Sequence, residues 1–235
     1  MAQYLVERYS EMIKSIDKAN LRIRNENNKR LTMQFYSKGD YYNGKLMVVG
    51  RAVNGWDEEC EWLHGKYIDV SPDAMIEKAY EKSLINPLKW VLDSWELNVI
   101  ENGEKKYNTA KSPFWQLTKD VLKAITLQNE WDEKNWARQI IWSNLYKVAL
   151  AAGGNPNYTM CKTQQSFCRE ILKYEIMQNK PEFILFVTDN GWFEGFEDCL
   201  VETRDYYSKF LVCKRPEFNS PSKMALEISK ELLDV

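Results

Sequence analysis

Apolar residues recur at steps of mostly three and four through the first segment, where Leu5, Tyr9, Met12, Ile13, Ile16, Ala19 and Ile23 share one side of a helical projection. The spacing predicts an amphipathic helix within an N-terminal section spanning residues 1–44. Leu31, Met33 and Phe35 then alternate with Thr32 and Gln34 until Gly39 and the polar residues that follow break the pattern. Residues 46–49 read Leu-Met-Val-Val, apolar without alternation, as in a strand covered on both faces, and the run stops at Gly50. Runs at 139–145, 182–187 and 209–213 have the same character. Ser112 before Pro113 marks a helix start, and Phe114, Leu117, Val121, Leu122 and Ile125 form the stripe behind it. Cys161, Gln165, Cys168, Ile171, Leu172 and Ile176 trace another helix, and Ser220 before Pro221 opens a last one.

Strand and helix in alternation imply crossovers that pack back onto a sheet, because parallel neighbours cannot be joined by a tight turn. The expected class is α/β: a three-layer αβα arrangement around a central, mainly parallel, four-stranded sheet, all in one domain over residues 1–235. Residues 56–111 fit the alternation poorly. They hold Trp56, Trp62, Trp90 and Trp95, are interrupted by Pro72 and Pro87, and read as a helical excursion after the first strong strand. No internal repeat is visible.

Composition narrows the function classes. The 235 residues carry 32 Lys plus Arg against 34 Asp plus Glu, a net charge of −2, and the pI is about 5.7. That balance argues against a globally basic nucleic-acid binder. The longest apolar runs are strand-sized, far below the roughly 20 residues that span a bilayer, so no membrane is expected. Five cysteines without a C-x-x-C pair, in a chain that opens without a signal-like segment, point to reduced thiols and a cytoplasmic location. One histidine, His64, removes any two-imidazole site; it reads as a surface or turn residue. No metal and no cofactor is expected.

In an open parallel sheet, ligands collect outside the carboxyl ends of the strands. Those ends read Gly50-Arg51-Ala52-Val53-Asn54-Gly55-Trp56-Asp57, Ser143-Asn144-Leu145-Tyr146-Lys147, Thr188-Asp189-Asn190-Gly191-Trp192 and Lys214-Arg215-Pro216-Glu217. Each allows a plain reading beside a functional one. Gly50 permits a tight strand-to-loop turn or has a functional place, and Asn144 finds its partners in the protein or in a ligand. Arg215 is a solvated rim residue or an anion clamp. Trp56 and Trp192 are core or stacking platforms, and Asp57 and Asp189 cap turns or act as bases.

The order of these strand ends resembles the uracil-DNA glycosylase superfamily. Residues 46–55 are similar to its glycine-led first loop, residues 140–145 to the strand ending in asparagine, residues 180–186 to the entry of the third strand, and Arg215-Pro216-Glu217 falls at its closing turn. The resemblance implies a crevice that accepts a nucleobase, with Gly50, Arg51, Trp56, Asn144, Asp189 and Trp192 binding and Asn54 and Arg215 in the catalytic places of a hydrolase of N-glycosidic bonds, as in DNA repair. It also carries departures. Ala52 stands where the family has a carboxylate, Arg215 where it has histidine, and Glu217 where it has serine. Two further readings stand beside base excision. One is a non-catalytic module binding a free nucleobase or nucleotide, the other a protein-interaction domain that uses the nine tryptophans. DNA, a nucleobase or a nucleotide are thus the expected partners, and the oligomeric state is open.

Overall fold

The computed structural model describes residues 2–21, 29–54, 60–96, 100–101, 104–105, 107–216 and 220–234. Helix α1 (Ala2–Lys18) is followed by β1 (Arg30–Met33), the two-residue β2 (Ser37–Lys38) and β3 (Leu46–Ala52). Next come β4 (Glu61–Leu63), α2 (Asp73–Ser83), α3 (Lys89–Glu96) and the hairpin of β5 (Ile100–Glu101) and β6 (Glu104–Lys105), leading to α4 (Pro113–Ile125). The rest is β7 (Ile140–Tyr146), β8 (Val148–Leu150), α5 (Tyr158–Asn179), β9 (Phe183–Val187), α6 (Asn190–Phe193), α7 (Glu197–Glu202), β10 (Lys209–Cys213) and α8 (Pro221–Leu233).

The fold is mixed α/β. Its main sheet has the order β10-β9-β3-β7-β2, in which β10, β9, β3 and β7 run parallel and β2 pairs antiparallel with β7. Five mixed strands therefore stand where a mainly parallel sheet of four was expected. The extra one is two residues long, too short for any periodic signal, and it is held where Gly39 passes Arg138 so closely that a Cβ would stand 2.0 Å from the Arg138 carbonyl oxygen.

Along β3, β7 and β9 successive residues turn to opposite faces, as the pleat requires. Met47, Val49, Ile141, Leu145, Ile184 and Phe186 join α1 and α5 in one core. Leu46, Val48, Ile140, Leu185 and Val187 join α4 and α8 in the other. With a hydrophobic core on each side, the central positions of these strands face apolar surroundings in both directions, which is why their runs showed no alternation.

The excursion and the N-terminal section both differ from expectation. β1 pairs antiparallel with β4 and β8 in a second, three-stranded sheet, so residues 1–44 hold a helix ending at Lys18 and two strands. The region 56–111 contributes β4 and a hairpin as well as α2 and α3. The alternation at 31–35 is a strand and its extension, yet no side faces water: Thr32 and Gln34 are as buried as their apolar neighbours. The tryptophans also depart from a partner-facing patch. Trp90, Trp95, Trp115, Trp136 and Trp142 interlock with ring centroids 5.2 to 6.3 Å apart in the core beneath α4. Every described tryptophan is buried or half-buried. Among the described residues no helix is long and apolar enough to cross a membrane, and the five cysteines are free thiols.

Candidate functional site at the carboxyl rim of the sheet

The register aligns the strand ends on one rim. Gly50 lies beside Asn144, Ala52 beside Tyr146 and Val187 beside Cys213, and the Asp189 amide donates to the Cys213 carbonyl at 2.9 Å. The same pleat then divides the rim. Gly50 and Asn144 belong to the α4 side, whereas Arg51, one residue on, belongs to the side of α5 and α6.

On the α4 side a Cβ built on Gly50 would stand 2.4 Å from Asn144 Oδ1 and 3.7 Å from the Phe114 ring. Glycine is needed here because the Asn144 amide occupies the space a side chain would take. Asn144 Nδ2 donates to Gln34 Oε1 at 2.5 Å, deep inside the molecule. Gln34 Nε2 is buried and meets no hydrogen-bond partner among the described residues, and Thr32 Oγ1 is in the same condition. A buried donor left unsatisfied costs about 1–3 kcal/mol. Gln34 and Phe114 were absent from the sequence-derived site. Phe114 read as one more core position in a helical stripe, and Gln34 gave only a weak signal, a polar side chain inside an apolar alternation.

On the α5 side Arg51 Nε donates to the Thr188 carbonyl at 2.9 Å and Nη2 to Asp189 Oδ2 at 2.5 Å, and its guanidinium stands 5.9 Å from the centre of the Trp192 ring. Asp189 Oδ1 accepts from the Trp192 amide at 3.1 Å, capping α6. Asp189 holds this place at φ 64° and ψ 166°, a left-handed conformation that glycine adopts freely and other residues rarely. Trp192 meets Tyr146 edge-on at 5.9 Å. These two rings, together with Tyr158, Cys161, Lys162 and Gln165 from the first turns of α5, line a cavity of about 550 Å³. Burial pushes the Cys161 thiol up to about 11 and raises the Tyr146 phenol well above its ordinary value, so both stay protonated at neutral pH. Asn157 caps the start of this helix, its side chain accepting from the Met160 amide at 2.9 Å.

The remaining described positions make no hydrogen bond to the side chains of these two groups. Asn54 is exposed, and its Oδ1 accepts from the Gly154 amide at 2.7 Å, on a turn where Gly153 and Gly154 both adopt positive φ. Arg215 is exposed and makes no hydrogen bond or ion pair with a described residue. Among the described residues no hydrogen bond joins Asn54, Asn144 and Arg215 to one another. Trp56, Asp57 and Glu217 lie outside the described residues. His64 sits in the turn after β4, its Nε2 within 3.0 Å of the Ile16 carbonyl. Lys147, the last residue of the second strand-end motif, turns inward. Its Nζ donates to Glu175 Oε1 at 2.7 Å and to Ser143 Oγ at 2.6 Å, while Ser143 Oγ donates to Glu175 Oε2, with the Lys147 and Glu175 side chains 1% and 0% exposed. This network fastens the end of β7 to α5. Burial raises the Glu175 carboxyl, opposed by the Lys147 charge and the Ser143 hydroxyl.

Among the described residues no group of three or more His, Cys, Asp and Glu side chains is placed to hold a metal ion. No family model, no curated protein and no solved structure matches the chain.

Proposed function

We propose that this chain is a uracil-DNA glycosylase-like protein that binds a nucleobase on the α4 side of the sheet rim and holds it without cutting its glycosidic bond. The observation that carries this reading is the unpaired Nε2 of Gln34, buried and hydrogen-bonded through its other end to Asn144 beside Phe114 and Gly50. Gln34 Nε2 supplies a donor and Asn144 Oδ1 an acceptor, the pair that complements the C=O and N–H of an imide edge such as that of uracil. The Phe114 ring, edge-on to Trp115, borders this pair on its apolar side. The four parallel strand ends, glycine after the first and asparagine at the second, support the kinship.

Binding rather than excision is supported by the groups nearest the chemistry. Cleavage needs an activated water and a donor for the departing base anion. Ala52 has no carboxylate to offer, Asn54 Oδ1 is already engaged by Gly154, and Arg215 is solvated on the rim.

The test is calorimetric titration with uracil, thymine, cytosine and adenine, run beside a base-release assay on uracil-containing single-stranded and duplex DNA. Uracil and thymine are expected to bind, and no base is expected to leave the DNA. Gly50→Ala, which drives a methyl group into the Asn144 amide, and Gln34→Leu, which removes the donor, are each expected to weaken uracil about tenfold or more while the fold persists. Silence with all four bases would end the proposal. Base release abolished by Asn54→Ala would turn it into excision.

A further inference from the structure

We infer that the cavity on the α5 side is a second and separate ligand site, shaped for a nucleoside monophosphate whose ring lies between aromatic walls and whose phosphate meets the start of α5. Its volume of about 550 Å³ falls within the roughly 300–1,000 Å³ that small-molecule sites occupy.

Flat surfaces face it from two elements. Trp192 is fixed from behind by the Arg51 guanidinium and at its edge by Tyr146, so its orientation is set before any ligand arrives. Tyr158, first residue of α5 and 76% exposed, stands at the opposite lip with the Lys162 ammonium 5.7 Å from its ring centre. An exposed tyrosine ring beside a cation offers a planar group one free face to stack on.

Three features favour an anionic end on that group. The amides of Tyr158 and Thr159 open a 22-residue helix and have no intrahelical acceptor, while the Asn157 cap serves Met160. Lys162 adds a full positive charge one turn on. The third is independent of the helix. Tyr146 is 6% exposed and lines the cavity, yet its hydroxyl pairs with no described residue, leaving a neutral donor that lacks an acceptor. The floor is already closed. Gln165 Nε2 donates across the cavity to the Glu194 carbonyl at 3.2 Å, and a Cβ on Gly195, at φ +86°, would come within 2.5 Å of that nitrogen. Glu194, the carboxylate of the lining, is exposed at the mouth and opposes the phosphate.

The experiment compares the four ribonucleoside 5′-monophosphates with their parent nucleosides by calorimetry on the whole chain. At least one monophosphate is expected to bind about tenfold more tightly than its nucleoside, the strength of a few charge-assisted contacts. Lys162→Glu is expected to cost the monophosphate about tenfold and the nucleoside less than about twofold, while Trp192→Leu weakens both and Glu194→Gln tightens the monophosphate. Tyr146→Phe, which keeps the ring, is expected to cost about fivefold with an unchanged melting transition. Gln34→Leu is the control that separates this site from the uracil niche, and it should leave monophosphate binding intact. Equal affinity for nucleoside and monophosphate, indifference to Lys162→Glu, loss of binding in Gln34→Leu, or no binding by any monophosphate would each overturn the second site, whatever uracil does.

Discussion

On the α4 side of β3 the rim presents amides and a phenyl ring closed off from water, with Gln34 and Asn144 2% and 4% exposed. On the α5 side it presents an open cavity with aromatic walls and a lysine. The step between them is a single residue, from Gly50 to Arg51. A pleated strand sends neighbours to opposite faces, so the last residues of one strand furnish two surroundings, a dry one of amides and a wet one beside a lysine. Strand ends that converge on one rim need not converge on one crevice.

Three perturbations sharpen that contrast. The largest effect is expected where the two sides share support. Lys147→Met leaves the Glu175 charge buried and alone, which should cost about 3–5 kcal/mol in chemical denaturation, whereas Lys147→Met combined with Glu175→Leu should recover most of the loss. Affinities for uracil and for the monophosphate should fall together in the single variant, unlike in Gly50→Ala or Lys162→Glu, each of which touches one side. Equal stability of the single and double variants would dissolve the shared support.

Thiol chemistry reports the open side alone. With Cys161 pushed up from 9.0 to about 11, its thiolate fraction at pH 8 is about 100-fold below that of an ordinary cysteine and rises tenfold per pH unit until about pH 11. Cys213, pushed up to about 12 on the other face, should be slower still. Alkylation followed by mass spectrometry should therefore label Cys161 before Cys213, and a saturating monophosphate should suppress the first and spare the second.

The smallest effect concerns Asp189. Asp189→Ala keeps the strained φ and loses the Arg51 pair and the α6 cap, while Asp189→Gly loses the same contacts and relaxes the backbone. Glycine should be the more stable of the two by about 1 kcal/mol, read from denaturation midpoints.

Much of the frame was legible in the sequence. Unalternating apolar runs found β3, β7, β9 and the half-buried edge strand β10 within a residue or so at most ends, the first three because cores cover both their faces, and the serine-proline pairs found the starts of α4 and α8. β2 and β4 were missed because two or three residues cannot show a period; their pairing is decided by neighbours remote in sequence. Of the site, Gly50 with Asn144 and Arg51 with Asp189 and Trp192 do come together. That they form two groups was hidden, because strand ends read as loops carry no information about which face each residue takes. Gln34 and Lys147 were opaque for another reason: a polar residue looks solvent-bound until its buried partner, 110 or 28 residues away, is known.

The network that ties Lys147 to Glu175 limits how far the α5-side cavity can give. Parting β7 from α5 would strand an ion in the interior, so those two elements behave as one stiff jaw. The facing segment, 189–195, is held by the Arg51–Asp189 pair, by the Asp189 cap on α6 and by the buried Phe193 ring packed against Phe186. With both jaws anchored, the cavity gives little on either side, and a guest meets Trp192 in an orientation already set.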